Sequence, residues 1–114
     1  MPFVKRNRGG AAGGANAETF LVINPATANG DTGKRLPANV VIKRILVKAA
    51  ADVPTFKMGT VINGDDLCYE TLLPAGIVQP FAPFAVTKAI TPVFVSGMTG
   101  TVVSIIIFYQ PFNL

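Results

Sequence analysis

The sequence predicts an all-β domain, a β-sandwich or jelly-roll-like barrel, carrying a flexible N-terminal arm. Three observations lead there. Short runs rich in β-branched and aromatic residues recur from Glu18 onward, Gly, Pro, Asn and Asp punctuate them, and no window sustains a 3.6-residue apolar period. Many short strands between regular turns are the mark of a sandwich or barrel.

Strands are expected near 18–23, 39–49, 54–62, 67–73, 76–80, 84–90, 92–96 and 101–110, seven or eight in all. Between the first two, Asn24-Pro25 and Asn29-Gly30-Asp31-Thr32-Gly33 are turn signals, so the stretch to Pro37 reads as an exposed loop. Such a loop is long enough to cross between sheets. Asn63-Gly64 lies between Phe56–Ile62 and Leu67–Leu73 and predicts a hairpin, because both turn positions favour positive φ. Ser96-Gly97-Met98-Thr99-Gly100 predicts a second hairpin with a slightly longer loop. Pro74, Pro80, Pro83 and Pro92 cut the middle of the chain into short, edge-like pieces and corners.

The domain organisation is an arm over residues 1–17 followed by one domain over 18–114. The first 17 residues hold Gly9, Gly10, Gly13 and Gly14, four alanines and no large aliphatic side chain after Val4. Nothing in them offsets the entropy of ordering. Glycine-rich chain can nonetheless follow another protein's surface closely. Lys5, Arg6 and Arg8 resemble the charged start of a signal peptide, but Gly9 to Asn16 lacks the apolar stretch that must follow, so no export leader is expected.

Half the residues are hydrophobic and 14% are charged, well under the roughly 25% charged share of soluble domains. Something must cover the excess apolar surface. The run Ile105 to Tyr109 is far too short to span a membrane, which leaves protein contact, and a chain this small gains from oligomerisation. The net charge is +4. Three of the ten basic residues fall in the first eight positions, leaving seven bases against six acids in the body. Basicity therefore belongs mainly to the arm, and Lys5, Arg6 and Arg8 are candidate contacts to an acidic protein surface or a nucleic acid.

The last strand is apolar on both faces, with Val103, Ile105, Ile107 and Tyr109 on one and Val102, Ser104, Ile106 and Phe108 on the other. A sandwich strand needs one apolar face. Either the strand is covered on both sides within the fold, or Ile106 and Phe108 meet another chain. Phe81 and Phe84, set among Pro80 and Pro83, are rigid aromatic contacts that suit a subunit interface or a loop folded over the open end of the sandwich.

Catalytic chemistry finds little to work with. The chain has no histidine, which removes the commonest general base and imidazole metal sites. Asp65 and Asp66 follow Asn63-Gly64, where turn formation and solvation account for them, and adding Glu70 makes only a thin divalent-cation set. No catalytic, cofactor-binding or metal-ligating residue is assigned, and no cofactor is expected. The lone Cys68 excludes an intrachain disulfide and reads as a small buried hydrophobe.

Gly30-Asp31-Thr32-Gly33-Lys34-Arg35 has the look of a phosphate loop. It fails the test, having Ala28 where glycine is required and Arg35 in place of Ser or Thr. Lys34 and Arg35 then read as a solvated tip or a contact to an acidic neighbour. Lys43 is expected opposite Arg44 and Lys48 on a strand that exposes a basic edge. Base-stacking aromatics are missing among these basic residues, which weakens a nucleic-acid reading.

Together the arm and body resemble small virion structural proteins of tailed bacteriophages, in particular capsid decoration or cement proteins with jelly-roll folds. The likeness is one of style over residues 40–110, carried by the runs Phe56 to Leu67, Leu73-Pro74-Ala75-Gly76 and Pro92 to Val103. It implies a homotrimer or similar cyclic assembly seated on the head shell of a virion. It also implies an arm reaching the major capsid protein and synthesis in the host cytoplasm. A tail, fibre or host-attachment component is the structural alternative, and a nucleic-acid-binding module using the basic arm is the alternative of another class.

Overall fold

In the computed structural model the described residues are 18–26 and 28–112. They form eight strands: β1 (Thr19–Ala26), β2 (Gly30–Leu36), β3 (Val40–Ala49), β4 (Val53–Gly59), β5 (Cys68–Leu73), β6 (Gln79–Phe81), β7 (Thr91–Ser96) and β8 (Val103–Pro111). Two four-stranded antiparallel sheets face each other, ordered β1-β8-β3-β6 and β2-β7-β4-β5. The strands pair as nested partners, β4 with β5, β3 with β6, β2 with β7 and β1 with β8. That is one long hairpin rolled up on itself, the jelly-roll arrangement of a β-sandwich.

Period-two alternation decides what lies inside. Along β3, Val40, Ile42, Ile45, Val47 and Ala49 are buried, and along β8, Val103, Ile105 and Ile107 are buried. The opposing sheet contributes Leu36, Val53, Phe56, Met58, Cys68, Leu73, Val93 and Val95. Each fully buried large side chain is worth about 1.5–3 kcal/mol of transfer free energy. Cys68 sits wholly within this core and burial pushes its thiol pKa upward, so it acts as a small hydrophobe.

Several expectations from the sequence need correcting. The Gly30 to Arg35 stretch is strand β2, not a loop. Its pairing with β7 breaks between Asp31 and Arg35, where Thr32, Gly33 and Lys34 bulge outward and the Thr32 hydroxyl donates to the Val93 carbonyl at 2.9 Å. The Ser96–Gly100 stretch does not close a hairpin, because β7 and β8 lie in different sheets and the loop crosses between them. Residues 84–90 form no regular strand. Ala85, Val86 and Thr87 instead run as a strap along the start of β3. Asn39 N–H donates to the Thr87 carbonyl, Ile42 N–H to the Ala85 carbonyl, and Val41 bridges Val86.

The β4–β5 hairpin is present, with a longer loop than a two-residue turn. Thr60 to Leu67 connect the strands, Asn63 alone takes positive φ, and Gly64 N–H donates to the Val61 carbonyl at 2.9 Å. Asp66 organises the loop, its carboxylate accepting from Thr60 N–H at 2.8 Å and from the Thr60 hydroxyl at 2.6 Å. Gly59 is required beneath it, since a side chain there would strike the Gly64 backbone.

Candidate functional site

The outer face of the β1-β8-β3-β6 sheet is built from the residues that alternate with the core. Ladder register sets Val22, Ile106, Leu46 and Pro80 in one row across all four strands. Beside it runs a second row of Phe20, Phe108 and Arg44. The Phe20 and Phe108 rings lie 6.0 Å apart at 49°, and the Arg44 guanidinium stands 4.3 Å over the Phe108 ring. Arg44 also reaches Glu18 at 4.0 Å.

On the far side of the central row, the Ser104 hydroxyl donates to Asn24 Oδ1 at 3.0 Å. Leu46, Lys48, Val78, Ser104 and Ile106 line a shallow depression there. Phe20 and Val22 are exposed at 59% and 42%, and Ile106, Phe108 and Leu46 are half-buried. β8 is thus central within its sheet, yet no third layer of the described residues covers its outer face.

Phe81 and Phe84 part company. Phe81 turns into the core at 7% exposure, with the Tyr69 ring 5.4 Å away edge-on. It is spent on the interior. Phe84, 60% exposed, takes a positive φ of 50° and lies under the Lys43 ammonium, 5.5 Å from its ring centroid. Lys43 is not opposite Arg44 in a regular strand, because the β3–β8 register slips between Ile42 and Arg44. That bulge moves Lys43 out of the interior, and β3 is no basic edge, since β8 and β6 flank it.

A second concavity opens at the hairpin end of the molecule, lined by Asp65, Asp66, Leu67, Tyr69, Phe81 and Pro83. Tyr69 is 64% exposed there. With Asp66 tied to Thr60, Asp65 is the carboxylate free to turn outward. Among the described residues no three His, Cys, Asp or Glu side chains gather as a metal-binding group. Asp65, Asp66 and Glu70 are not brought together as a ligand set.

Arg35 finds its acidic neighbour within its own strand. It grips Asp31 through both guanidinium nitrogens at 2.9 Å, and Asp31 also accepts from Gly33 N–H at 2.8 Å. The Arg35 bonds first, then the Gly33 N–H, hold the Asp31 carboxyl below the usual carboxylate range. The arm contacts assigned from sequence, Lys5, Arg6 and Arg8, lie outside the described residues.

Phe20, Val22, Leu46 and Val78 join this surface without having been singled out from the sequence. The signal was present for the first pair: Phe20-Leu21-Val22-Ile23 is apolar on both faces, as the last strand is. No helix among the described residues is long and apolar enough to cross a membrane. No protein family, curated protein or solved structure matches the chain.

Proposed function

We propose that this chain is a virion structural protein, a decoration or cement protein that binds and stabilises the assembled head shell of a tailed bacteriophage. The observation that carries the reading is a jelly-roll sandwich whose outer sheet face bears an apolar row, Val22–Ile106–Leu46, flanked by Phe20 and Phe108, that no other layer of the described residues covers. Jelly rolls recur in viral capsids as well as in lectins and cupins, so the fold is compatible with the reading, and the support for it comes from the surface. A face of this kind is suited to burying area against protein. Lys5, Arg6 and Arg8 supply charge for an acidic patch on the major capsid protein.

Stabilisation would follow mass action, since a ligand that binds only the assembled shell shifts assembly by RT ln(1 + [L]/Kd). A homotrimer is the assembly this reading favours. The test is cross-linking and mass spectrometry on native particles, together with head binding by the full chain carrying K5E, R6E and R8E. Cross-links to the major capsid protein and weakened binding by the charge-reversed chain are expected. Absence of both would sink the reading.

A host-attachment role is the second reading, favoured by the Tyr69, Asp65 and Pro83 concavity. An exposed ring beside a carboxylate suits the apolar and hydroxyl faces of a sugar. Labelled protein binding cells in place of heads, with binding lost in Tyr69→Ala, would select it.

A further inference from the structure

The two sheets have four edges, and three of them are blunted. β2 is broken by its bulge and carries the Asp31–Arg35 pair and Lys34. β6 is three residues long and contains Pro80, with Pro83 just beyond. β5 carries Glu70 and pairs irregularly with β4. These are the devices by which sheets avoid pairing with other chains.

β1 is free of them over its first five residues, its ladder to β8 slipping only beyond Ile23, in the span that holds Pro25. Thr19 to Ile23 run in unbroken register against β8, no charged side chain occurs from Thr19 to Ala26, and Phe20 and Val22 extend the apolar face to the very edge. Among the described residues no strand pairs with the other side of β1. Its outward N–H and C=O groups form a template. Leu21 packs against the core while only partly buried, so an added strand would finish covering it.

We propose that β1 pairs antiparallel with β1 of a second copy of this chain, joining the two outer sheets into one eight-stranded sheet. Sequence and charge select this occupant. A strand without charges meets its own copy with no like charges opposed, and Leu21, Val22 and Ile23 suit a ladder position. The chain's own residues 1–17 are Gly- and Ala-rich, a composition depleted in strands.

The direction follows from the 17 residues that precede Glu18. A parallel pair would bring two sets of Lys5, Arg6 and Arg8 together, whereas an antiparallel pair sends them off opposite ends of a joint about 17 Å long. A two-fold joint of this kind is self-complementary. It is a separate contact from the homotrimer favoured by the proposed function, which would use another part of the chain.

The test uses the full chain in sedimentation velocity from micromolar to millimolar concentration, with hydrogen exchange read on the Thr19–Ile23 amides. The expected result is a dimer whose formation protects those amides in step with concentration. Val22→Lys, on the exposed edge, weakens dimerisation about tenfold or more, while Leu46→Lys, at the middle of the same face, leaves it unchanged. A monomer at every concentration overturns the proposal. Equal dimerisation by Val22→Lys, loss of the dimer in Leu46→Lys with Val22→Lys unaffected, or β1 protection independent of concentration each does the same, the last pointing to the chain's own leading segment.

Discussion

Individual residues hold this molecule at points where geometry leaves no slack. Gly97 and Gly100 both take positive φ, at 78° and 85°, but a Cβ at Gly97 would collide with the Thr55 carbonyl oxygen while one at Gly100 would meet open space. Left-handed backbone costs an L-residue about 1–2 kcal/mol, so Gly100→Ala should lose about that much in urea denaturation. Gly97→Ala should lose about 3 kcal/mol or more, because the crossing loop must also retreat from β4. Asp31 offers a test by titration. Its folded midpoint lies below its unfolded one, so the Arg35 pair favours the fold above the unfolded midpoint. That contribution fades as pH falls through the folded midpoint. In an NMR titration, Arg35→Gln should move the Asp31 midpoint upward, and an unmoved midpoint would assign the shift to the Gly33 N–H alone.

At the scale of elements, β8 separates the two uses of an apolar side chain. Ile105 is wholly buried between the sheets and Ile106 lies half-buried on the outer face. Ile105→Ala should therefore cost about 2–5 kcal/mol of stability, and Ile106→Ala about 1 kcal/mol or less, measured on monomer by denaturation. Equal losses would mean that the outer face is covered in the folded monomer. The double-faced pattern of β8 was legible because period two needs no tertiary information. β2 was hidden for the opposite reason: Gly30, Asp31 and Gly33 are the residues a turn requires, and here they serve a bulge that stays inside a strand. The Ser96–Gly100 turn residues likewise mark where the chain reverses without saying which sheet the next strand joins. In a jelly roll only β4 and β5 are both consecutive and paired, so turn chemistry found the one true hairpin and invented another. Phe81 and Phe84 could not be told apart by spacing, since the positive φ at Phe84 sets which ring faces out.

The nested pairing of the whole molecule carries a kinetic consequence. The β4–β5 hairpin closes a short loop, β3 and β6 lie farther apart in sequence, β2 and β7 farther still, and β1 meets β8 across nearly the full domain. Each outer pair closes a cheaper loop once the inner pair has formed, because the entropy of closure depends on the chain left free between contacts. Folding should then proceed outward from the hairpin, on the millisecond-to-second scale of all-β domains rich in distant pairings. A chevron analysis tests the order. Asp66→Ala, which frees Thr60 in the hairpin loop, should mainly slow folding, whereas Ile23→Val in β1 should mainly speed unfolding. The reverse assignment would place the nucleus at the joined termini. The same order bears on how an open β1 edge coexists with a foldable chain: β1 would be the last strand to dock, so the ordered template at the sheet edge forms only once the rest of the fold is in place.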